Sequence, residues 1–103
     1  MRLEYSPECV NDLLDIATYI ARDNPTRALS FVDELEDACA RLRTHPGIGT
    51  ARPELGANIR VLPHGRYLIF RSTKADLVRI ERVLHGARDV TALFGDDDNA
   101  AAF

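Results

Sequence analysis

The sequence has little lysine: twelve of its thirteen bases are arginine, and Lys74 is the remaining one. It has only two cysteines, Cys9 and Cys39, too few for a disulfide framework. It has no long apolar run; Tyr67 to Phe70 is four residues, far short of a bilayer span. Behind Met1-Arg2-Leu3-Glu4-Tyr5 there is no apolar stretch, so no secretory leader is expected. The expectation is a cytoplasmic protein with reduced thiols and no membrane contact. His45, His64 and His85 stand at no metal-ligand spacing from one another or from a cysteine. No glycine-rich loop opens a helix, because Gly47-Ile48-Gly49 follows one instead. No nucleophile elbow is present. These absences argue against a metal- or cofactor-dependent enzyme, and no cofactor is expected.

What remains is a globular composition, 46% apolar and 28% charged over 103 residues, enough for one core and too little for two. The net charge of −3 hides an asymmetry. Residues 1–40 hold nine acids against three bases, and residues 41–95 hold ten bases against four acids. A basic half of this kind suits a polyanion or an acidic partner, or is simply a set of solvated strand faces. Arginine in place of lysine adds two-pronged contacts to carboxylate or phosphate.

The acidic half reads as a helical hairpin. Ser6-Pro7-Glu8 is a start signal: a hydroxyl for the N-cap, proline at the first position, an acid near the positive end of the dipole. Val10, Leu13, Leu14, Ala17, Ile20 and Ala21 then recur at helical spacing, with Asp12, Asp15 and Asp23 off that stripe. Asn24-Pro25 starts a second helix with the stripe Ala28, Phe31, Val32, Leu35, Ala38, Cys39 and Leu42. His45-Pro46-Gly47 ends it. The short link makes the helices antiparallel and brings Cys9 near Cys39, as two small core residues or, in oxidised protein, as a disulfide.

The basic half reads as an antiparallel sheet. A loop over residues 46–58 leads into strands at Asn58 to Leu62, Tyr67 to Arg71 and Leu77 to Leu84, joined by Pro63-His64-Gly65 and Thr73-Lys74-Ala75-Asp76. Strict alternation fails near Arg82-Val83-Leu84, which a bulge or an arginine on a functional face would explain. Leu3 and Tyr5 supply a first strand. The expected fold class is α+β: a small antiparallel sheet in the order strand, helix, helix, strand, strand, strand, with the hairpin on one face and the other face open. One domain over residues 1–95 is expected, with a frayed acidic tail at 96–103.

Arg60, His64, Arg66, Arg71, Arg82, His85 and Arg88 all fall on the sheet or its turns. Metal-free cleavage of RNA needs a base, an acid and cations, and His85 with the arginines has groups of those types. No carboxylate is obviously paired with His85. Structural or binding roles therefore come first, with no catalytic residue assigned. Tyr67 and Phe70 are placed in the core rather than on a base-stacking surface.

Five segments taken together resemble one family: Asp12 to Ile20, Asn24-Pro25-Thr26-Arg27-Ala28, His45 to Gly49 followed by Arg52-Pro53-Glu54-Leu55, Tyr67 to Arg71, and Arg82-Val83-Leu84-His85-Gly86-Ala87-Arg88-Asp89. Their order and spacing are similar to a ParE toxin of the RelE/ParE superfamily, from about Leu3 to Asp89. The resemblance implies a toxin of a bacterial toxin–antitoxin operon. Its partner would be a ParD-like antitoxin with a ribbon-helix-helix head, forming a hetero-oligomer that touches DNA only through the antitoxin. It implies DNA gyrase as target and plasmid stabilisation as a role, with action by binding rather than as an enzyme. The RelE branch implies the alternative, a ribosome-dependent mRNA endoribonuclease. A third alternative is a degenerate relative that only binds antitoxin. Arg60, Arg66, Arg71, Arg82, His85 and Arg88 are the expected antitoxin- or target-binding residues.

Overall fold

Two proline-led caps start the helices. In the computed structural model, which describes residues 1–87, Ser6 accepts a hydrogen bond from the Cys9 N–H at 2.9 Å and α1 runs Pro7–Ala21. Asn24 does the same for the Arg27 N–H at 3.0 Å, and α2 runs Pro25–Arg41. Each cap satisfies a helix-end donor that would otherwise be orphaned. The strands are β1 Arg2–Tyr5, β2 Thr50–Ala51, β3 Arg60–His64, β4 Tyr67–Lys74 and β5 Leu77–His85. The fold is α+β, with the helical pair near the N-terminus and a five-stranded sheet ordered β1-β5-β4-β3-β2. Arg88 and the acidic tail at 96–103 lie outside the described residues.

The sheet is mixed rather than wholly antiparallel. Successive strands β3, β4 and β5 pair antiparallel through short turns, but β1 pairs parallel with β5, Arg2 opposite Leu77 and Tyr5 opposite Ile80. The helical hairpin and three further strands lie between those two in the chain, and so long a connection permits parallel pairing. The two-residue β2 extends the sheet beyond β3.

β1 reaches only to Ile80, and α1 takes over the free edge of β5. The Ser6 N–H donates to Ile80 O at 2.9 Å, and the Ser6 hydroxyl donates to Glu81 O at 2.6 Å. A bulge sits at this handover: Phe70 faces Arg82 and Arg71 faces Ile80, leaving Glu81 unopposed on β5. The irregularity read near Arg82-Val83-Leu84 is this bulge, one residue earlier.

The α1 stripe is displaced from the expected one. Cys9, Asp12 and Ile16 are buried, Leu13, Ala17, Ile20 and Ala21 are half-buried, and Val10 and Leu14 are exposed. Asp12, read as lying off the apolar stripe, is only 8% exposed, because its partner lies on β5. The α2 stripe holds: Phe31, Leu35, Ala38, Cys39 and Leu42 join Ile69, Val78, Ile80 and Val83 in the core between helices and sheet.

The far face is not open throughout. Residues 52–59 form a compact loop closed by Arg52 N–H to Ile59 O at 2.9 Å, and this loop lays Leu55 and Ile59 on Val61, Phe70 and Leu84 as a second core. The uncovered part of that face carries Ser72, Arg79 and Glu81, with Ser72 Oγ donating to Glu81 Oε2 at 2.7 Å.

Cys9 and Cys39 are both buried free thiols within the first core. Burial pushes each thiol up to about 12 from 9.0, and at Cys9 the neighbouring Cys39 adds to the rise. A thiol with a raised value contributes fully to stability below its unfolded value and loses that contribution as pH climbs toward its folded value. Stability is therefore expected to fall progressively from about pH 9 upward. Native protein should react with iodoacetamide no faster than it unfolds; prompt labelling of both thiols at pH 8 would contradict this.

The two hairpin turns, Gly65-Arg66 and Ala75-Asp76, open on different residues. Gly65 opens the first with φ +59°, and Ala75 opens the second with φ +53°. Alanine there holds a left-handed backbone that its Cβ disfavours. Ala75→Gly is expected to raise the unfolding free energy by about 0.5 kcal/mol, the relief of that strain outweighing the added freedom of the unfolded chain. Urea unfolding of the two proteins measures it, and a less stable variant would refute it.

Candidate interaction surface

An aromatic series crosses the end of the molecule where the β3–β4 turn meets the end of β5. Phe31 of α2 contacts His64 and Tyr67, with ring centroids 5.6 and 5.5 Å apart. Tyr67 meets His85 edge-on at 5.4 Å. Arg27 lies over Phe31, 5.0 Å from its centroid, and pairs with Glu34 at 2.7 Å. His64 Nε2 stands 3.4 Å from the same carboxylate. The Arg27 hydrogen bond holds the Glu34 carboxyl below its ordinary value. Strand alternation produces the series, since His64 and Tyr67 face each other across the turn and Tyr67 faces His85.

Beyond the rings the surface hollows. Tyr19, Arg66, Tyr67 and His85 line a groove of about 380 Å³, and an adjoining hollow of about 150 Å³ runs between α1 and β5, reaching Asp12 and Asp15. Tyr19 is 66% exposed and Leu14 is 61% exposed, with Val10 one turn further along α1, so the groove continues into an apolar stripe on that helix. Burial, and then Tyr19, raises the Tyr67 phenol above its ordinary value, which keeps it protonated as a donor. Gly86 closes the corner: its N–H donates to Arg66 O at 2.8 Å, and a Cβ there would stand 3.3 Å from that oxygen.

His85 ends β5 beside the groove. Its Nδ1 accepts from the Ala87 N–H at 3.1 Å, a bond that assigns the neutral ring its proton at Nε2. No carboxylate is bonded to it among the described residues. The described groove residues can donate hydrogen bonds, stack against rings and offer the Arg66 cation. Among the described residues no group of three or more His, Cys, Asp or Glu side chains is placed to hold a metal ion.

The expected binding residues separate into three places. Arg66 and His85 meet at the groove. Arg60 and Arg71 are opposite each other on β3 and β4, but not on an open face. Each lies two residues along its strand from a residue packed toward the helices, Leu62 and Ile69, so alternation turns both inward, under the 46–49 loop. Arg71 is 2% exposed and donates to Pro46 O and, at 3.0 Å, to Ile48 O. Arg82 leaves the sheet face at the bulge and reaches around the β5 edge to Asp12, Nε to Oδ2 at 2.8 Å and Nη2 to Oδ1 at 2.9 Å. That pairing raises the Arg82 value and fixes its charge. Sequence reasoning missed Tyr19 and Asp12. Tyr19 fell off the apolar stripe and carried no signal, whereas Cys9-Leu13-Ile16 at helical spacing was a stripe that would have turned Asp12 inward.

No helix among the described residues is long and apolar enough to cross a membrane. No curated protein matches the chain in sequence. In structure it is similar to a chain of the chromosomal ParDE toxin–antitoxin system of P. aeruginosa, with TM-score 0.71, 20% identity, and 82% of this chain and 95% of that one covered. That likeness extends to the fold. The family model for the ParE toxin of the type II toxin–antitoxin system parDE matches residues 3–90, and the chain therefore belongs to the ParE toxins.

Proposed function

We propose that the chain arrests growth by binding DNA gyrase and is neutralised by a ParD-like antitoxin made beside it in the cytoplasm. The family match over residues 3–90 carries this reading. The groove at Tyr19, Arg66, Tyr67 and His85, continued by Val10 and Leu14, is the surface assigned to the antitoxin. Its apolar stripe suits an amphipathic helix, and Arg66 suits a carboxylate on the incoming chain. A tail that folds as it binds would cover the apolar residues the free toxin exposes. Contact with DNA is made through the antitoxin alone.

Action by binding is preferred to cleavage of mRNA because His85 has its Nδ1 occupied and no carboxylate bonded to it among the described residues. The test is induction of the chain alone in bacteria, with a DNA-damage reporter and mRNA integrity followed together. Arrest with reporter induction and intact mRNA is expected. Fragmented mRNA with a silent reporter would install the ribonuclease reading, and no arrest from folded protein would leave an antitoxin-binding module.

A surface variant tests the interface separately. Tyr19→Asp is expected to weaken antitoxin binding at least about tenfold, since an aromatic anchor is replaced by a charge in the groove. Tyr19 is so exposed that the melting temperature should hold. Titration calorimetry against the antitoxin measures the change, and unaltered affinity would move the interface elsewhere.

A further inference from the structure

Every described arginine that is withdrawn from solvent has a carboxylate, with two exceptions. Arg52 pairs with Glu54, Arg79 with Glu4 and Arg82 with Asp12. Arg60 and Arg71 have none among the described residues. The other arginines without an acid, such as Arg66, are exposed. Arg60 and Arg71 are directly opposite on neighbouring strands, the arrangement in which like charges repel most. Their hydrogen-bond partners among the described residues are carbonyls only: Gly49 O for Arg60 at 3.0 Å, and Pro46 O and Ile48 O for Arg71. Arg71 Nε has no acceptor among the described residues. Arg79 Nε also lacks a hydrogen bond, but it stands 3.4 Å from Glu4 Oε1.

Two adjacent cations, one of them 98% removed from water, carry a large desolvation cost that carbonyl dipoles offset only in part. Burial, and then Arg60, lowers the Arg71 value, the mark of a cation whose surroundings hold no compensating charge. We propose that Arg60 and Arg71 form a binding site for a single phosphate-class oxyanion beneath the 46–49 loop. The charge of inorganic phosphate at neutral pH approaches that of the pair, and planar guanidinium forks match its oxygens. Arg60, the less buried of the two, forms the entrance, and Arg71 Nε supplies the unused donor. A site this enclosed favours a small free anion over a polymer. Loop 46–49 would be tied to the sheet through the anion as well as through its carbonyls.

The test titrates the full chain with sodium phosphate against sodium chloride at matched ionic strength. It follows the melting temperature and the Arg Nε–H resonances. Phosphate is expected to raise the melting temperature saturably and to shift the Arg60 and Arg71 signals, while chloride does neither. Arg60→Gln should fold and bind phosphate at least about tenfold more weakly, the loss of a charge-assisted hydrogen bond. Arg22→Gln, an exposed arginine at the C-terminal end of α1, should leave phosphate binding intact. A parallel arm with adenosine 5′-monophosphate separates the sources of the anion: weaker binding than phosphate supports the free ion, and equal binding supports a phosphate ester in the same site. No saturable effect of phosphate, or an equal effect on Arg60→Gln, would overturn the site.

Discussion

Asp12→Ala is expected to lower the unfolding free energy by about 3 kcal/mol. Breaking a buried ion pair from one side costs about 3–5 kcal/mol, because the partner charge stays behind without compensation. Here the figure sits at the low end, since the Arg82 side chain is 22% exposed and regains some water. The same carboxylate also accepts the Val83 N–H at 3.0 Å. That donor lies on the free edge of β5, past the end of β1, and would be orphaned in the variant. Two effects at one residue separate in a cycle. Adding Arg82→Met to Asp12→Ala should recover the part due to the stranded cation and leave the part due to Val83. Urea unfolding of the four proteins measures both, and a single variant within 0.5 kcal/mol of the parent, about the scale of ordinary surface substitutions, would refute the assignment.

Phe70→Ala is expected to cost about 3–5 kcal/mol, the usual range for deleting a buried aromatic ring. Phe70 is fully buried, yet it belongs to the core on the far side of the sheet from the helices. Its loss should release Leu55 and Ile59 and loosen the 52–59 loop before the hairpin side melts. Limited proteolysis would then cut within that loop in the variant and not in the parent. A variant as destabilised as expected but equally resistant would show that the loop is held by Arg52 N–H to Ile59 O and its other backbone bonds instead.

The features legible from sequence are those whose cause is local. Ser6-Pro7 and Asn24-Pro25 mark the helix starts because the capping side chain acts on a backbone N–H three residues away. The β3–β4 and β4–β5 hairpins are legible because short turns leave no other pairing. The features hidden from it have causes far along the chain. Asp12 pairs with a residue 70 positions away, and within α1 only the Cys9-Leu13-Ile16 spacing hints that it turns inward. The 52–59 segment reads correctly as a loop, but nothing in its composition says that it packs on a sheet face. The arginines were recognised as a set and not as three separate places, because one bulge at Glu81 and the alternation of two strands decide where each points. The groove was half visible: Arg66 and His85 stand in recognisable turn and strand-end positions, while Tyr19 comes from a helix face with no pattern of its own.

The parallel pairing of β1 with β5 sets a timetable for synthesis. β1 is made more than seventy residues before its sheet partners, Leu77 to Ile80. Closing so long a span is slow for a free chain and is ruled out until the far strand exists. The Asp12–Arg82 pair and the Ser6 contact to Glu81 wait on the same event. The face formed by α1 and β5, which holds the groove, therefore cannot assemble on a nascent chain that still lacks β5. Anything that recognises this face meets only a chain whose β5 is complete, and a chain abandoned before β5 never presents it.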